Sequence, residues 1–193
     1  MVLLRLLIPV IATALLAVAV LPATGAEYDW LGPNTSFCIG PMPPADYWAD
    51  AYYSAPADYG DWTVGGGGAI DGDANFIWLR QQGQWAQATL TIGSTSVVVG
   101  FGSDANDGKV EVLIDGSTVA IVDSWSNPGV YWYVTTWNLP GGPHTIKVLD
   151  AGPSTQAGAT TLDDDVSLDG AGIMPCTPVE EGTWSEIKAL FRN

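Results

Sequence analysis

The stretch Lys109-Val110-Glu111-Val112-Leu113-Ile114-Asp115-Gly116 decides the fold class. Its apolar residues at 110, 112 and 114 recur every second position, which is the period of a strand with one buried face. Asp115-Gly116 is a dipeptide typical of tight hairpin turns, and Thr118 to Val122 supplies the returning strand. The centre of the chain is therefore predicted to form an antiparallel hairpin.

Further segments of strand-like composition lie on both sides of this hairpin, separated by turn-forming residues and without a helical pattern between them. They are Phe76–Leu79, Trp85–Ile92, Ser96–Phe101, Tyr131–Trp137, His144–Val148 and Leu162–Leu168. The segment Leu139–Pro143, rich in Pro and Gly, is expected to turn the chain. Eight or nine short strands at this spacing predict an all-β, antiparallel β-sandwich over residues 60–173.

The charge of the chain restricts its partners. It has 21 acidic and 6 basic residues, for a net charge of −15. Such a surface repels the phosphates of nucleic acids and anionic lipids, whereas it suits neutral partners and divalent cations. We expect no nucleic-acid partner, and contact with a membrane only through the leader described next.

The first residues have the pattern of a secretory signal peptide. Arg5 provides the positive start, Leu6–Leu21 is apolar, and small residues precede a cleavage position after Ala26. We therefore predict a signal peptide over residues 1–26 and a secreted, extracellular or cell-surface protein. The alternative is an uncleaved membrane anchor.

Two cysteines, Cys38 and Cys176, lie near the two ends of the remaining chain. In an oxidising compartment an even pair is a candidate for a disulfide, which we predict here. The alternative is two unpaired thiols.

The segments that flank the sandwich have different compositions. Residues 27–59 are rich in aromatic residues and Pro, and they are predicted either to wrap the domain or to be partly disordered. Residues 174–193 form a linker followed by a predicted short amphipathic helix. That helix begins at a capping box, with Thr183 as N-cap and Glu186 three residues later. It is expected either to cover the domain or to dock elsewhere.

Three segments together resemble the galactose-binding-like jelly rolls, which include carbohydrate-binding modules of secreted bacterial proteins. They are Gly108-Lys-Val-Glu-Val-Leu-Ile-Asp-Gly116, Trp137-Asn-Leu-Pro-Gly-Gly-Pro-His-Thr-Ile-Lys-Val148 and Leu162-Asp-Asp-Asp-Val-Ser-Leu168. The resemblance covers about residues 60–170. It implies a jelly roll, a carbohydrate partner and a structural calcium, but the matching motifs include no ligand-binding positions.

Acidic turns provide candidate calcium ligands, since calcium prefers carboxylate and amide oxygens. The candidates are Asp71, Asp73 and Asn75 in one turn, and Asp104 and Asp107 in another. Calcium is accordingly the expected cofactor. The alternative is that Asp and Asn serve these turns only as turn formers.

The chain has nine tryptophans, and exposed aromatic rings can stack on the C–H faces of sugars. Trp125 lies in a polar turn and is expected to be exposed. Alternation along Tyr131–Trp137 must place one set of aromatic residues outside, so Tyr131 and Tyr133 are candidates as well. The alternative for all three is a role in the core.

The single histidine, His144, begins an alternating strand and is expected to be structural. Since no nucleophile–base pattern accompanies it, the chain is predicted not to be an enzyme. The leading hypothesis is a secreted, non-catalytic carbohydrate-binding module stabilised by calcium. The alternatives are a structural or adhesive surface protein, which assembles with itself or binds proteins, and a minimal hydrolase.

Overall fold

The computed structural model describes residues 25–45 and 47–174, and eleven β-strands lie in this part of the chain. They are β1 (Glu27–Leu31), β2 (Thr35–Ile39), β3 (Tyr47–Asp50), β4 (Thr63–Gly65), β5 (Asp71–Gly72), β6 (Ile77–Leu79), β7 (Trp85–Ser103), β8 (Lys109–Ile114), β9 (Ser117–Asp123), β10 (Val130–Gly152) and β11 (Val166–Ile173). Every pairing of these strands is antiparallel, so the predicted all-β antiparallel class is confirmed.

Two predictions fall outside the described residues. They are the signal-peptide segment up to residue 24 and the C-terminal helix after residue 174. Within the described part, no helix is long and apolar enough to span a membrane.

The centre of the fold is the pairing of two long strands, β7 and β10. Their register runs from Val130↔Ser103 at one end to Leu149↔Trp85 at the other. Since β8 and β9 lie between them in the chain, this pairing connects residues that are distant in sequence. Each long strand contains two of the segments that the sequence predicted as separate strands.

The prediction that Leu139–Pro143 turns the chain was wrong, because β10 continues through it. The segment instead shifts the register, once between Trp137 and Gly142 and again between Gly142 and His144. Proline lacks an amide donor and glycine lacks a side chain, so this stretch interrupts the ladder without reversing the strand. Gly142 approaches Gly93 of β7 so closely that a Cβ on Gly93 would lie 3.1 Å from the Cα of Gly142.

This irregularity divides each long strand into two halves, which pair with different neighbours. In the first layer the order is β4, the first half of β7, the second half of β10, then β8, β9 and β1. In the second layer β2 pairs with the first half of β10, and the second half of β7 pairs with β11, which carries β3 and β6. This arrangement is consistent with the predicted sandwich.

A single apolar cluster takes residues from both layers. Val112 and Ile146 come from the first layer, and Trp132 and Leu168 from the second. Trp132 is fully buried and stacks on Phe101 with 4.1 Å between ring centroids. The core therefore lies between the layers, and alternate residues of each strand face outward.

The segment 27–59 adds strands to both layers. β1 pairs with β9, β2 with β10 and β3 with β11. On β2, Cys38 pairs in register with Tyr133. The other predicted disulfide partner, Cys176, lies outside the described residues, so the disulfide stays a prediction.

His144 holds the hairpin turn between β8 and β9 against the irregular part of β7. The ring is 2% exposed, with Nδ1 2.7 Å from Asp115 Oδ2 and Nε2 2.9 Å from the carbonyl oxygen of Ser94. Both ring nitrogens therefore face hydrogen-bond acceptors. The imidazole links the turn to the point where β7 passes between the layers.

We expect His144→Ala to destabilise the fold by about 2–4 kcal/mol, because it leaves a cavity and removes the donor to the half-buried carbonyl of Ser94. Thr145→Ala is the matched control, since the Thr145 amide, which donates to Asp115 Oδ1, is unaffected by the substitution. The control should change stability by no more than about 0.5 kcal/mol. Urea denaturation measures both values, and an equal effect of the two variants would contradict this role.

Candidate functional site

An open cleft of about 400 Å³ lies on the outward face of the second layer. Its lining combines aromatic, acidic and small residues from several strands and loops. These residues are Asp73, Phe76, Trp78, Gly102, Ser103, Asp104, Gly129, Val130, Tyr131 and Ser167.

Sheet register creates the shape of the cleft. Tyr131 pairs with Gly102, Gly102 with Ser167, and Ser167 with Trp78, so the four residues form one row across β10, β7, β11 and β6. Tyr131 and Trp78 are roughly 14 Å apart in this row, because neighbouring strands lie about 4.8 Å apart. Two small residues between two aromatic residues make a trough in the sheet surface.

Gly102 is required at the floor of this trough. A Cβ at this position would lie 2.9 Å from Cζ of Phe76, closer than side-chain atoms can pack. The missing side chain allows the Phe76 ring to lie directly against β7. Phe76 thus forms a third aromatic surface of the cleft.

Tyr131 is held in place by Asp169. Its hydroxyl donates a hydrogen bond to the Asp169 carboxylate. Burial, together with the neighbouring negative charge, raises the pKa of Tyr131 well above its ordinary value, and burial also raises the pKa of Asp169. The phenol therefore stays neutral, with its ring fixed beside the trough.

Asp73 reaches the cleft from a tight turn. Its Oδ1 accepts hydrogen bonds from the amides of Asn75, at 2.8 Å, and Phe76, at 3.0 Å. The amide of Asp73 in turn donates to the Phe76 carbonyl. One side chain thus closes the turn and presents a carboxylate beside the Phe76 ring.

Asp104 reaches the cleft from the loop between β7 and β8. Its Oδ1 accepts a hydrogen bond from the Asn106 amide, and its own amide donates to Asp107 Oδ2 at 2.7 Å. Asp107 is fully buried, and its Oδ1 accepts from the Ser167 hydroxyl. The two carboxylates therefore lie in one small loop, one exposed to the cleft and one beneath it.

Burial raises the pKa of Asp107 to about 8, and the negative charge of Asp104 contributes to the rise. A second buried carboxyl nearby, Asp150, has its pKa raised to about 7, again mainly by burial. Oδ2 of Asp150 has no hydrogen-bond partner among the described residues. Both carboxyl groups therefore stay protonated and uncharged to a higher pH than an ordinary aspartate does.

The prediction that Trp125 is exposed was wrong, because it is 5% exposed. Its indole N–H donates to the carbonyl of Ala105, next to Asp104. The loop around Gly158 covers the ring, since a Cβ on Gly158 would lie 3.2 Å from it. Trp125 supports the Asp104 loop from beneath and does not line the cleft.

Of the two tyrosine candidates, the structure places only Tyr131 in the cleft. Tyr133 shares the outward face of β10 but is outside the cleft lining and beside Cys38. Burial and a hydrogen bond with the Cys38 thiol raise the pKa of Tyr133 to about 12. A role of Tyr133 in ligand binding stays a prediction.

The predicted calcium ligands come from two separate segments of the chain, as the sequence indicated. They are Asp71, Asp73, Asn75, Asp104 and Asp107. Asp73 and Asp104 share the cleft, whereas Asp71 forms an ion pair with Arg80 at 3.2 Å. Among residues 25–45 and 47–174, no three His, Cys, Asp or Glu side chains converge to hold a metal ion. A calcium site therefore stays a prediction.

A second cavity of about 550 Å³ adjoins Tyr131 on its other side. It is lined by Gly40, Pro41, Met42 and Tyr131. This cavity is apolar, and it shares the tyrosine ring with the acidic cleft.

Sequence reasoning missed Phe76 and Trp78. Both belong to a segment that was interpreted only as a short apolar run. Ile77 and Leu79 are fully buried, so the alternation of a strand places Phe76 and Trp78 on the opposite face. That period-two pattern was the available signal.

Three solved structures are similar to this chain. The CBM36-1 domain of a multidomain xylanase from the hindgut metagenome of Trinervitermes trinervoides is 14% identical, with a TM-score of 0.39, over 75% of this chain and 100% of that domain. The exo-beta-1,3-galactanase of Phanerochaete chrysosporium is 19% identical, with a TM-score of 0.35, over 57% of this chain and 25% of that one. The carbohydrate-binding module CBM36 in complex with calcium and xylotriose is 17% identical, with a TM-score of 0.34, over 71% of this chain and 96% of that one.

No protein-family model and no curated protein matches the sequence. The likeness to the three solved structures is distant, and the function proposed below rests on the residues of this chain.

The buried carboxyl of Asp107 should make stability depend on pH. Its pKa in the fold is about 8 against an ordinary 3.8, so the folded state binds the proton more tightly. The stability that the bound proton contributes to the fold is complete below pH 3.8 and is lost as the pH rises through about 8. Asp107→Asn keeps an oxygen to accept from Asp104 but does not ionise. We expect the variant to gain stability relative to the wild type as the pH rises from about 4 to about 8.

Urea denaturation of the wild type and Asp107→Asn across this range measures the difference in unfolding free energy. The titration of Asp150 is present in both proteins, so the comparison isolates Asp107. A difference that stays constant with pH would show that Asp107 is ionised throughout.

Proposed function

We propose that this protein is a secreted, non-catalytic carbohydrate-binding module, and that the cleft between Tyr131 and Trp78 holds the sugar. The observation that carries the proposal is the row Tyr131–Gly102–Ser167–Trp78, in which two aromatic side chains flank a floor of small residues. The signal-peptide pattern at residues 1–26 and the motif resemblance support the same class of protein.

A pyranose ring has apolar C–H faces and a polar edge of hydroxyl groups, and the cleft offers surfaces of both kinds. Phe76, Trp78 and Tyr131 provide aromatic surface, while Asp73 and Asp104 provide acceptors for hydroxyl groups. Hydrogen bonds to charged acceptors are stronger than those to neutral ones, so the carboxylates orient the sugar. The trough is open, which allows a polysaccharide chain to continue beyond it.

The two cleft carboxylates each stabilise a turn, and this role favours binding over catalysis. Oδ1 of Asp73 and Oδ1 of Asp104 each accept amide hydrogen bonds within their own turns. Glycoside hydrolysis requires one carboxyl to give up a proton and another to attack or activate water. Residues fixed in turns are suited to hold hydroxyl groups, so we assign the cleft no reaction.

Tyr131→Ala should weaken glycan binding about tenfold, because it removes one aromatic surface of the trough. Tyr133→Ala is the matched control, since it removes the same side chain from the same face of β10, two residues away. Tyr131→Phe keeps the ring and should retain most of the binding. Binding is measured by titration calorimetry on the best ligand from an array of neutral and charged oligosaccharides.

Trp78→Ala provides a second removal of aromatic surface from another strand, and it should weaken binding to a similar extent. If Tyr131→Ala and Trp78→Ala melt like the wild type but bind with unchanged affinity, the cleft is not the sugar site. If only Tyr133→Ala loses binding, the sugar site lies nearer to β2 than to the cleft.

Calcium should not be required for binding in this cleft. The side chains that line it are oriented by protein hydrogen bonds, namely those of Asp73 with its turn amides and of Tyr131 with Asp169. We expect the same glycan affinity in calcium and in a chelator. A clear loss of affinity in the chelator would mean that calcium forms part of the site.

A further inference from the structure

We propose that the cleft selects sugars that carry a protonated amine, such as glucosamine polymers, over neutral and acidic sugars. This inference rests on the proposed carbohydrate-binding function and adds the chemical class of its ligand. Three features support it: the charges around the cleft, the carboxylate oxygens that make no hydrogen bond with the described residues, and the aromatic surfaces beside these oxygens.

Two carboxylates line the trough, and one oxygen of each accepts hydrogen bonds from backbone amides. Asp73 and Asp104 use Oδ1 for amides of their own turns. The described residues form no hydrogen bond with Oδ2 of either carboxylate. An ammonium group has three donors and a positive charge, so it can satisfy these oxygens better than a hydroxyl group can.

Further carboxylates lie directly behind these two. Asp107 is beneath Asp104, Asp165 bonds with Asn106 of the same loop, and Asp169 holds Tyr131. Burial is the main cause of the raised pKa values of Asp107, Asp165 and Asp169, and the negative charge of Asp104 adds to the rise at Asp107 and Asp165. A cationic ligand offsets the charge of Asp104 and Asp73, whereas an acidic sugar adds to it.

The three Lys and Arg side chains of the described residues neutralise the trough only in part. Lys109 pairs with Asp29 at 2.5 Å, and Lys147 lies over the Trp85 ring of the first layer. Arg80 is the third cation and lies nearest. Its guanidinium is already shared between Asp71, at 3.2 Å, and Asp165, at 3.7 Å. The remaining negative potential is therefore available to a ligand.

Arg80 also shows that an aromatic wall of the trough accepts a cation. Its guanidinium carbon lies 4.7 Å from the centroid of the Trp78 ring. Aromatic faces attract cations through the electron density above the ring. Tyr131, on the opposite side of the trough, offers a similar face to an ammonium group held by Asp73 or Asp104.

The experiment compares two ligands that differ at one substituent of each sugar, which is a protonated amine in one ligand and an acetamide in the other. They are a fully deacetylated chitosan oligosaccharide and the N-acetylated chitin oligosaccharide of the same length and linkage. At mildly acid pH, where the sugar amines are protonated, titration calorimetry should give an affinity at least about fivefold higher for the deacetylated ligand. Added salt should reduce this preference, since screening weakens exposed charge pairs.

The variants Asp73→Asn and Asp104→Asn test which residues produce the preference. Each keeps an oxygen for its turn, and each should weaken chitosan binding about fivefold more than it weakens chitin binding. Asp61→Asn is the matched control, since it removes one exposed carboxylate outside the cleft. Melting temperatures of all three variants establish that they are folded.

The outcomes separate this inference from the proposed function. Equal or tighter binding of the acetylated ligand, or of a neutral xylan or galactan oligosaccharide, overturns the amine preference and leaves carbohydrate binding intact. Loss of chitosan affinity in Asp61→Asn to the same degree also overturns it, because a general charge effect would then explain the preference. The absence of binding to any sugar on the array overturns the proposed function itself.

Discussion

The pairing of β7 with β10 is the constraint on which the rest of the structure depends. The two strands serve both layers of the sandwich, and every other strand adds to one of their edges directly or through a neighbour. The same pairing sets Tyr131 opposite Gly102, so the floor and one wall of the cleft follow from the register of the core. A shift by one residue would exchange outward Tyr131 with buried Trp132, and it would remove the core stack and the trough together.

The acidic loops serve two purposes at the same end of the molecule. Asp73 and Asp104 each close a turn with one carboxylate oxygen, and Asp107 holds the Asp104 loop from within the core. Since a turn needs only one oxygen of its carboxylate, the second one stays on the surface. The negative charge of these loops destabilises them in the absence of a partner. The same charge would attract a positively charged ligand.

Local patterns predicted the elements that depend on local chemistry. The alternation in Lys109–Ile114 and the Asp115-Gly116 turn were read correctly, because burial of one strand face and positive φ angles at the turn are encoded in neighbouring residues. The sequence failed at Leu139–Pro143, where the composition of a turn and that of an interrupted strand are alike. Only the partner strand, which is distant in sequence, distinguishes the two.

The candidate site shows the same division. Tyr131, Asp73 and Asp104 were identified as candidates by residue type, but the sequence offered no reason to place them together. Trp125 was misjudged because its burial depends on a loop more than thirty residues later, around Gly158. Asp and Asn in a turn look the same whether they bind a metal or only their own backbone, so ligand roles need the hydrogen bonds of the folded chain.

The glycine at position 102 makes the cleft easy to alter during evolution. Its neighbours along β7, Phe101 and Ser103, point into the protein, so a change at 102 alone would leave their contacts in place. A single added methyl group would displace the Phe76 ring and make the trough shallower. The depth of the trough can therefore change by substitution of one residue on the outward face, while selection on the core continues to preserve the sandwich.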